Sequence, residues 1–180
     1  MNDYSGVLIS GLLATLILLG GCSTMSVEEY AGRKPELKPE DYFDGHVKAW
    51  GIFENRNGKV TREFTGDFQG EWDGESLTID ETLNYKSGKT ENRTWTFTKT
   101  GDETYTLTAE NIIGEASGRA KGNALHLDYT IAVDVDGSTW NLTADDWMYR
   151  QDEKTVINRA TLSWWWFKAG ELTIVYRKVN

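Results

Sequence analysis

From Tyr42 to the last residue the chain contains no proline, and its apolar and polar side chains trade places at every second position in run after run. A period of two belongs to a strand, whose successive side chains leave on opposite faces; an amphipathic helix would repeat its apolar positions every three or four residues. Between Val60 and Trp72 one register reads Val60, Arg62, Phe64, Gly66, Phe68, Gly70 and Trp72, while the other reads Thr61, Glu63, Thr65, Asp67, Gln69 and Glu71. The alternation returns in Leu77, Ile79, Leu83 and Tyr85, in Trp95 and Phe97, in Tyr105 and Leu107, over residues 125–135, and in Leu172, Ile174 and Tyr176. Nine or ten strands are predicted. Asn57-Gly58, Asp73-Gly74, Ser87-Gly88, Gly101-Asp102, Gly122-Asn123 and Asp136-Gly137 separate them, mostly pairs that accept positive φ in tight hairpins, so neighbouring strands should pair antiparallel. An all-β meander with one apolar face hides that face and its edges best by curling into an up-and-down, lipocalin-like barrel. A two-sheet sandwich is the alternative.

The first residues follow a different rule. Residues 6–21 read GVLISGLLATLILLGG, an uncharged apolar stretch shorter than the roughly 20 residues of a membrane-spanning helix. It ends in Leu19, Gly20, Gly21 and Cys22, which resembles a lipobox: cleavage before the cysteine, then acylation of its thiol. The segment before it carries Asp3 and no Lys or Arg, a departure from the usual positive start. The expected division is a lipoprotein signal peptide over 1–21, a lipidated N-terminus and flexible tether over 22–40 that holds Pro35 and Pro39, and a single β-barrel domain over 41–180. Ser23, a non-acidic residue after the cysteine, resembles the signal of lipoproteins forwarded to the outer membrane, so the expected location is its periplasmic leaflet, with a membrane as partner. Cys22 is the one cysteine, so no intramolecular disulfide can form.

A set of short segments resembles one family. Phe43-x-Gly45 with Ala49-Trp50-Gly51-Ile52-Phe53, Gly114-Glu115-Ala116-x-Gly118, Gly122-Asn123-Ala124, Asp145-Asp146-Trp147-Met148-Tyr149, Asn158-Arg159-Ala160 and Gly170-Glu171 together resemble the bacterial lipoproteins catalogued as domain of unknown function 3833. The resemblance spans nearly all of the chain after Cys22 and implies no activity.

Function must then be read from side chains. The net charge of -9, with a pI near 4.8, makes nucleic acid an unfavourable partner. There is no Gly-x-Ser-x-Gly elbow and no phosphate loop after the small-residue stretch Gly114, Ala116, Gly118, Ala120, Gly122. That stretch marks either a barrel corner or a wall against which a ligand lies. His126 and Asp128 share a strand face but have no triad pattern around them, and two histidines cannot build an ordinary zinc site without carboxylates. No cofactor or metal is expected, and the domain reads as non-enzymatic.

Three charges stand in the apolar register: Arg62, Glu81 and Asp146. A lone buried charge is costly, so they either pair with one another or meet a ligand's polar group. With Phe64, Phe68, Trp95 and Leu127 they form the expected ligand-binding set, an apolar lining for the tail of an amphipathic molecule or lipid with a charged floor at Arg62 for its head. Two alternatives compete with this reading: an envelope protein-interaction module whose barrel is filled by its own side chains, and an enzyme on lipid-like substrates using Asp145, Asp146 and Arg159. Trp164, Trp165, Trp166 and Phe167 must point to both faces of any strand, so at least one should meet solvent while most pack in the core.

Overall fold

The computed structural model describes residues 25–179 except Asp136 and the side chain of Val135. The expected signal peptide and Cys22 lie outside the described residues. Ten antiparallel strands form one closed barrel: β1 (Gly45–Asn55), β2 (Val60–Trp72), β3 (Ser76–Tyr85), β4 (Thr90–Lys99), β5 (Thr104–Ala109), β6 (Ser117–Lys121), β7 (Ala124–Val135), β8 (Ser138–Arg150), β9 (Thr155–Trp164) and β10 (Phe167–Lys178). Each strand pairs with its sequence neighbour, and β1 closes on β10 in a ladder running from Val47 opposite Lys178 to Asn55 opposite Gly170. No strand is left as an edge. The sandwich alternative is excluded by that last ladder.

All six expected turn pairs fall between consecutive strands. The inward register is the apolar one: Phe64, Phe68, Leu77, Ile79, Leu83, Phe97, Leu107, Leu125, Leu127 and Tyr176 are buried in one core. The first residues of β2 run past the core, leaving Val60, Thr61 and Arg62 exposed.

The nine connections alternate between the two ends of the barrel, five at one and four at the other. The turns β1–β2, β3–β4, β7–β8 and β9–β10 and the longer β5–β6 loop lie at one end, here the open rim. The opposite end is closed by α1 (Pro39–Phe43), which enters β1 directly. Phe43 packs edge-on against Tyr176, with ring centroids 5.3 Å apart, and Tyr42 donates its hydroxyl to the Lys154 carbonyl at 2.7 Å. The buried Glu40 accepts from Lys99 Nζ at 2.6 Å and from the Tyr105 hydroxyl at 2.8 Å, locking the plug to β4 and β5. Gly70 makes room for it, since a Cβ there would lie 1.9 Å from the Phe43 carbonyl oxygen.

The expected flexible tether is corrected from Met25 onward. A 3₁₀ turn at Val27–Tyr30 starts at Ser26, whose hydroxyl accepts the Glu28 N–H while its own N–H goes to the Glu29 carboxylate. Val27 is buried against Ala124 and Trp147, Tyr30 meets the rings of Trp147 and Tyr149 at a tilt, and Leu37 is fully buried with its N–H on the Gly122 carbonyl at 2.8 Å. The segment is a strap on the outer wall and base. Its prolines and charges read as solvated in sequence because the apolar residues that pin it are single, not periodic. Among the described residues no helix is long and apolar enough to cross a membrane.

Candidate functional site

A cavity of about 440 Å3 runs inside the barrel from the plug to the open rim. Its floor is Phe43, Phe68 and Tyr176, its walls include Phe64, Ile79, Leu83, Phe97, Leu127, Ile131 and Ile174, and its mouth is ringed by Phe53, Arg62, Trp140, Leu162, Trp164 and Ala169. The volume falls within the roughly 300–1,000 Å3 typical of small-molecule sites.

All seven residues singled out from sequence, Arg62, Phe64, Phe68, Glu81, Trp95, Leu127 and Asp146, line this cavity. Two details differ from expectation. Arg62 stands at the exposed mouth, not at the floor, and among the described residues it has no ion-pair partner. Nor do the three charges pair with one another. The interior cation is Arg93, which shares the inward register of Trp95 and Phe97. Its guanidinium bonds Glu91 at 2.7 Å and lies 3.9 Å from Glu81, which also accepts from Trp95 Nε1 at 2.7 Å. Burial pushes the Glu81 carboxyl up against the pull of Arg93. Burial also opposes the Glu91 charge, but hydrogen bonds from Lys89 and Arg93 outweigh it and hold that carboxyl at about 2.

Asp146 belongs to a second polar group across the interior. The β7–β8 register runs without a bulge, so Asp146 points inward with Leu142, Ala144 and Met148. It accepts from the Tyr129 hydroxyl at 2.9 Å and from Asn158 Nδ2. Burial raises it to about 6, and the Tyr129 hydroxyl is pushed well above its ordinary value for the same reason. Asn158, in the cavity wall, has its Oδ1 buried without a hydrogen-bond partner. Tyr129 meets Trp95 edge to face, centroids 5.7 Å apart, so the two groups form one polar belt between an apolar floor and an aromatic mouth. Two carboxylates flank Arg93, and Asp146 faces them. The belt therefore offers acceptors and weak acids rather than a free positive charge.

The residues of the enzymatic alternative are not brought together: Asp146 is inside, while Asp145 and Arg159 are exposed outside. Asp145 takes His126 Nε2 at 2.7 Å and Asp128 lies 3.6 Å from Nδ1, so the two imidazole nitrogens serve different carboxylates. These three side chains place metal-type donors within 4.8 Å of one another on the outer wall, with His126 stacked on Trp147 at 4.1 Å. No serine hydrogen-bonds His126 among the described residues. The small-residue stretch is a packing feature: Gly118 lies under Leu127 and Leu107, Gly122 under the Tyr30 carbonyl, and neither lines the cavity.

The aromatic run corrects the expectation of core packing. Trp164, Trp165, Trp166 and Phe167 form the β9–β10 hairpin tip, and all four are exposed, Trp165 by 70% and Trp166 by 75%.

The S-type phycobiliprotein lyase CPES from Guillardia theta has a similar fold, with a TM-score of 0.56 at 10% identity over 80% of this chain and 94% of that one. The redesigned β-barrel mFAP1, solved bound to DFHBI, aligns with a TM-score of 0.43 at 13% identity over 79% of this chain and 100% of that one. No curated protein matches the sequence. The model of the family described as protein of unknown function (DUF3833) matches residues 16–178, nearly the whole chain, and the chain belongs to that family.

Proposed function

We propose that the barrel is a non-enzymatic carrier that takes an apolar or amphipathic small molecule into its cavity and is held at a membrane by lipid on Cys22. The carrying observation is the cavity of about 440 Å3, apolar at its floor and walls, that reaches the rim. A barrel filled by its own side chains, the interaction-module alternative, would leave no such space. Burying each methylene of a ligand there contributes ~0.8 kcal/mol, so a medium-length chain reaches micromolar affinity after the costs of association. The belt of Glu81, Arg93, Tyr129 and Asp146 favours a polar group that donates hydrogen bonds. A fatty acid placing its carboxylate there would meet three acidic side chains; it could be held only with its head at the mouth near Arg62.

The test is uptake of the neutral fluorophore N-phenyl-1-naphthylamine, then displacement by a fatty alcohol, amine and acid of equal length. The alcohol or amine should displace it better than the acid, and Ala169→Trp, which fills the mouth, should weaken all three. Fluorophore that stays dark, or is unaffected by Ala169→Trp, rules the carrier out. The anchor is tested separately by metabolic labelling with an alkyne fatty acid, which Cys22→Ala should abolish.

A further inference from the structure

We propose that the open rim is a docking surface for an anionic lipid bilayer, with the β9–β10 tip inserted between headgroups. Three independent observations meet at this place. The first is exposure: Trp140, Trp164, Trp165, Trp166 and Phe167 form a continuous array of rings with successive centroids 5.1, 6.0, 5.3 and 5.7 Å apart, none of them buried. Indole is favoured at the bilayer interface, where its ring is dry and its N–H wet.

The second observation is conformational. Trp165 has φ +57°, the left-handed region that Gly or Asn enters cheaply and a bulky side chain does not. A turn selected for stability alone would not place an indole there, so the ring's projection beyond the barrel offsets a local cost.

The third is charge. Next to the aromatic tip the barrel order places the β1–β2 turn and then the β3–β4 turn. These carry Arg56, Lys59, Lys86 and Lys89, and no acid occurs among residues 56–59 or 86–89. Lys86 and Lys89 are engaged by Glu63 and Glu91, whereas Arg56, Lys59 and Arg62 have no ion-pair partner among the described residues. Glu71, Asp73, Glu75, Asp102, Glu103, Asp152 and Glu153 surround the closed end, while on the docking side Glu54, Glu63, Glu91 and Glu171 are outnumbered by Arg56, Lys59, Arg62, Lys86, Lys89 and Lys168. Strands of this length at the usual tilt separate the ends by about 30 Å, several times the screening length of about 8 Å at physiological salt. An anionic surface facing the rim therefore meets the basic turns. Glu110, Glu115 and Asp134 occupy the far side of the rim, so contact is one-sided and the barrel tilts onto its β9–β10, β1–β2 and β3–β4 turns. Met25 lies on the outer wall of the closed half, its Sδ 3.4 Å from the Tyr30 hydroxyl, and three residues of chain reach about 10 Å at most, so a lipid on Cys22 would hold that half and the rim would meet a different stretch of bilayer; the two contacts are therefore tested apart.

The test uses protein begun at Met25, which contains every element of the closed fold, sedimented with vesicles of phosphatidylethanolamine and phosphatidylglycerol or of phosphatidylcholine alone. Binding is expected to the anionic vesicles, with a blue shift of tryptophan emission and loss at high salt. Trp165→Asn with Trp166→Ser should weaken it by roughly tenfold or more, and Arg56→Glu with Lys59→Glu by a similar factor on anionic vesicles only. All four sites are exposed and Asn suits the left-handed backbone at 165, so thermal melts should not fall and naphthylamine uptake should stay unchanged, which separates failure here from failure of the carrier reading. Absence of vesicle binding, or binding indifferent to the tryptophan pair, overturns the proposal. So does self-association in sedimentation velocity that the tryptophan pair abolishes, because a second copy would then cover the rim.

Discussion

Arg62 and Arg93 show how far a single side chain can be read from sequence. Both sit in an inward register, and the same alternation that marks Arg62 beside Phe64 marks Arg93 beside Trp95. What the alternation cannot tell is where along the strand the barrel wall ends. Arg62 lies at the exposed mouth, and Arg93 lies where two carboxylates can reach it. Arg93→Met should therefore strand the buried Glu81 and destabilise by about 3 kcal/mol at neutral pH, with less loss in acid as Glu81 protonates. Arg62→Met should stay within about 0.5 kcal/mol. Urea unfolding of the two variants decides it; equal losses would mean that Arg62 is the interior cation after all. Asp146 gives a second readout. Its carboxyl rises from an ordinary 3.8 to about 6 through burial, so the folded state holds its proton more tightly than the unfolded state. That contribution is complete below about pH 4 and is lost as pH rises through 6, a difference of about 3 kcal/mol. Asp146→Asn should remove it, so wild type minus variant stability should fall between pH 4 and 7 and be flat above. A difference that rises over that window would show Asp146 to be stabilised as an anion.

At the level of elements, the strands were legible because burial on one face of a sheet enforces a period of two, and the turns because positive φ selects Gly: Gly58, Gly74, Gly88, Gly122 and Gly137 all adopt it. The strap was not. Val27 and Leu37 are buried singly by a chain that follows the barrel's outside, and nothing periodic announces that. Gly70 was equally silent, as was the second role of Gly122 beneath the Tyr30 carbonyl, since a glycine under a crossing backbone looks in sequence like a glycine in a bend. Gly70→Ala would drive a methyl group into the Phe43 carbonyl and lift α1 from the base. A loss of about 2 kcal/mol is expected, with faster hydrogen exchange in the plug, although no strand ladder is touched. Unchanged exchange at Tyr42 and Phe43 would mean that the plug does not rest on Gly70.

For the whole molecule, the sequence favoured an up-and-down barrel but left a sandwich open, because the ladder that decides between them joins the first strand to the last. Val47 pairs with Lys178 and Asn55 with Gly170, and the residues between them carry every other strand. Local preference governs hairpins; whether the tenth strand meets the first depends on twist accumulated over all of them. The cavity follows from the same geometry, since the inward residues that fill the narrow closed half leave space toward the mouth. That ladder also sets an order in time. Hairpins can form as soon as their two strands exist, whereas the seam between β1 and β10 must wait for the last of the ten strands to leave the ribosome or a translocation pore. Until then two unpaired strand margins and the apolar interior are accessible to chaperones and proteases alike, so the most vulnerable interval in the life of this barrel comes just before β10 arrives.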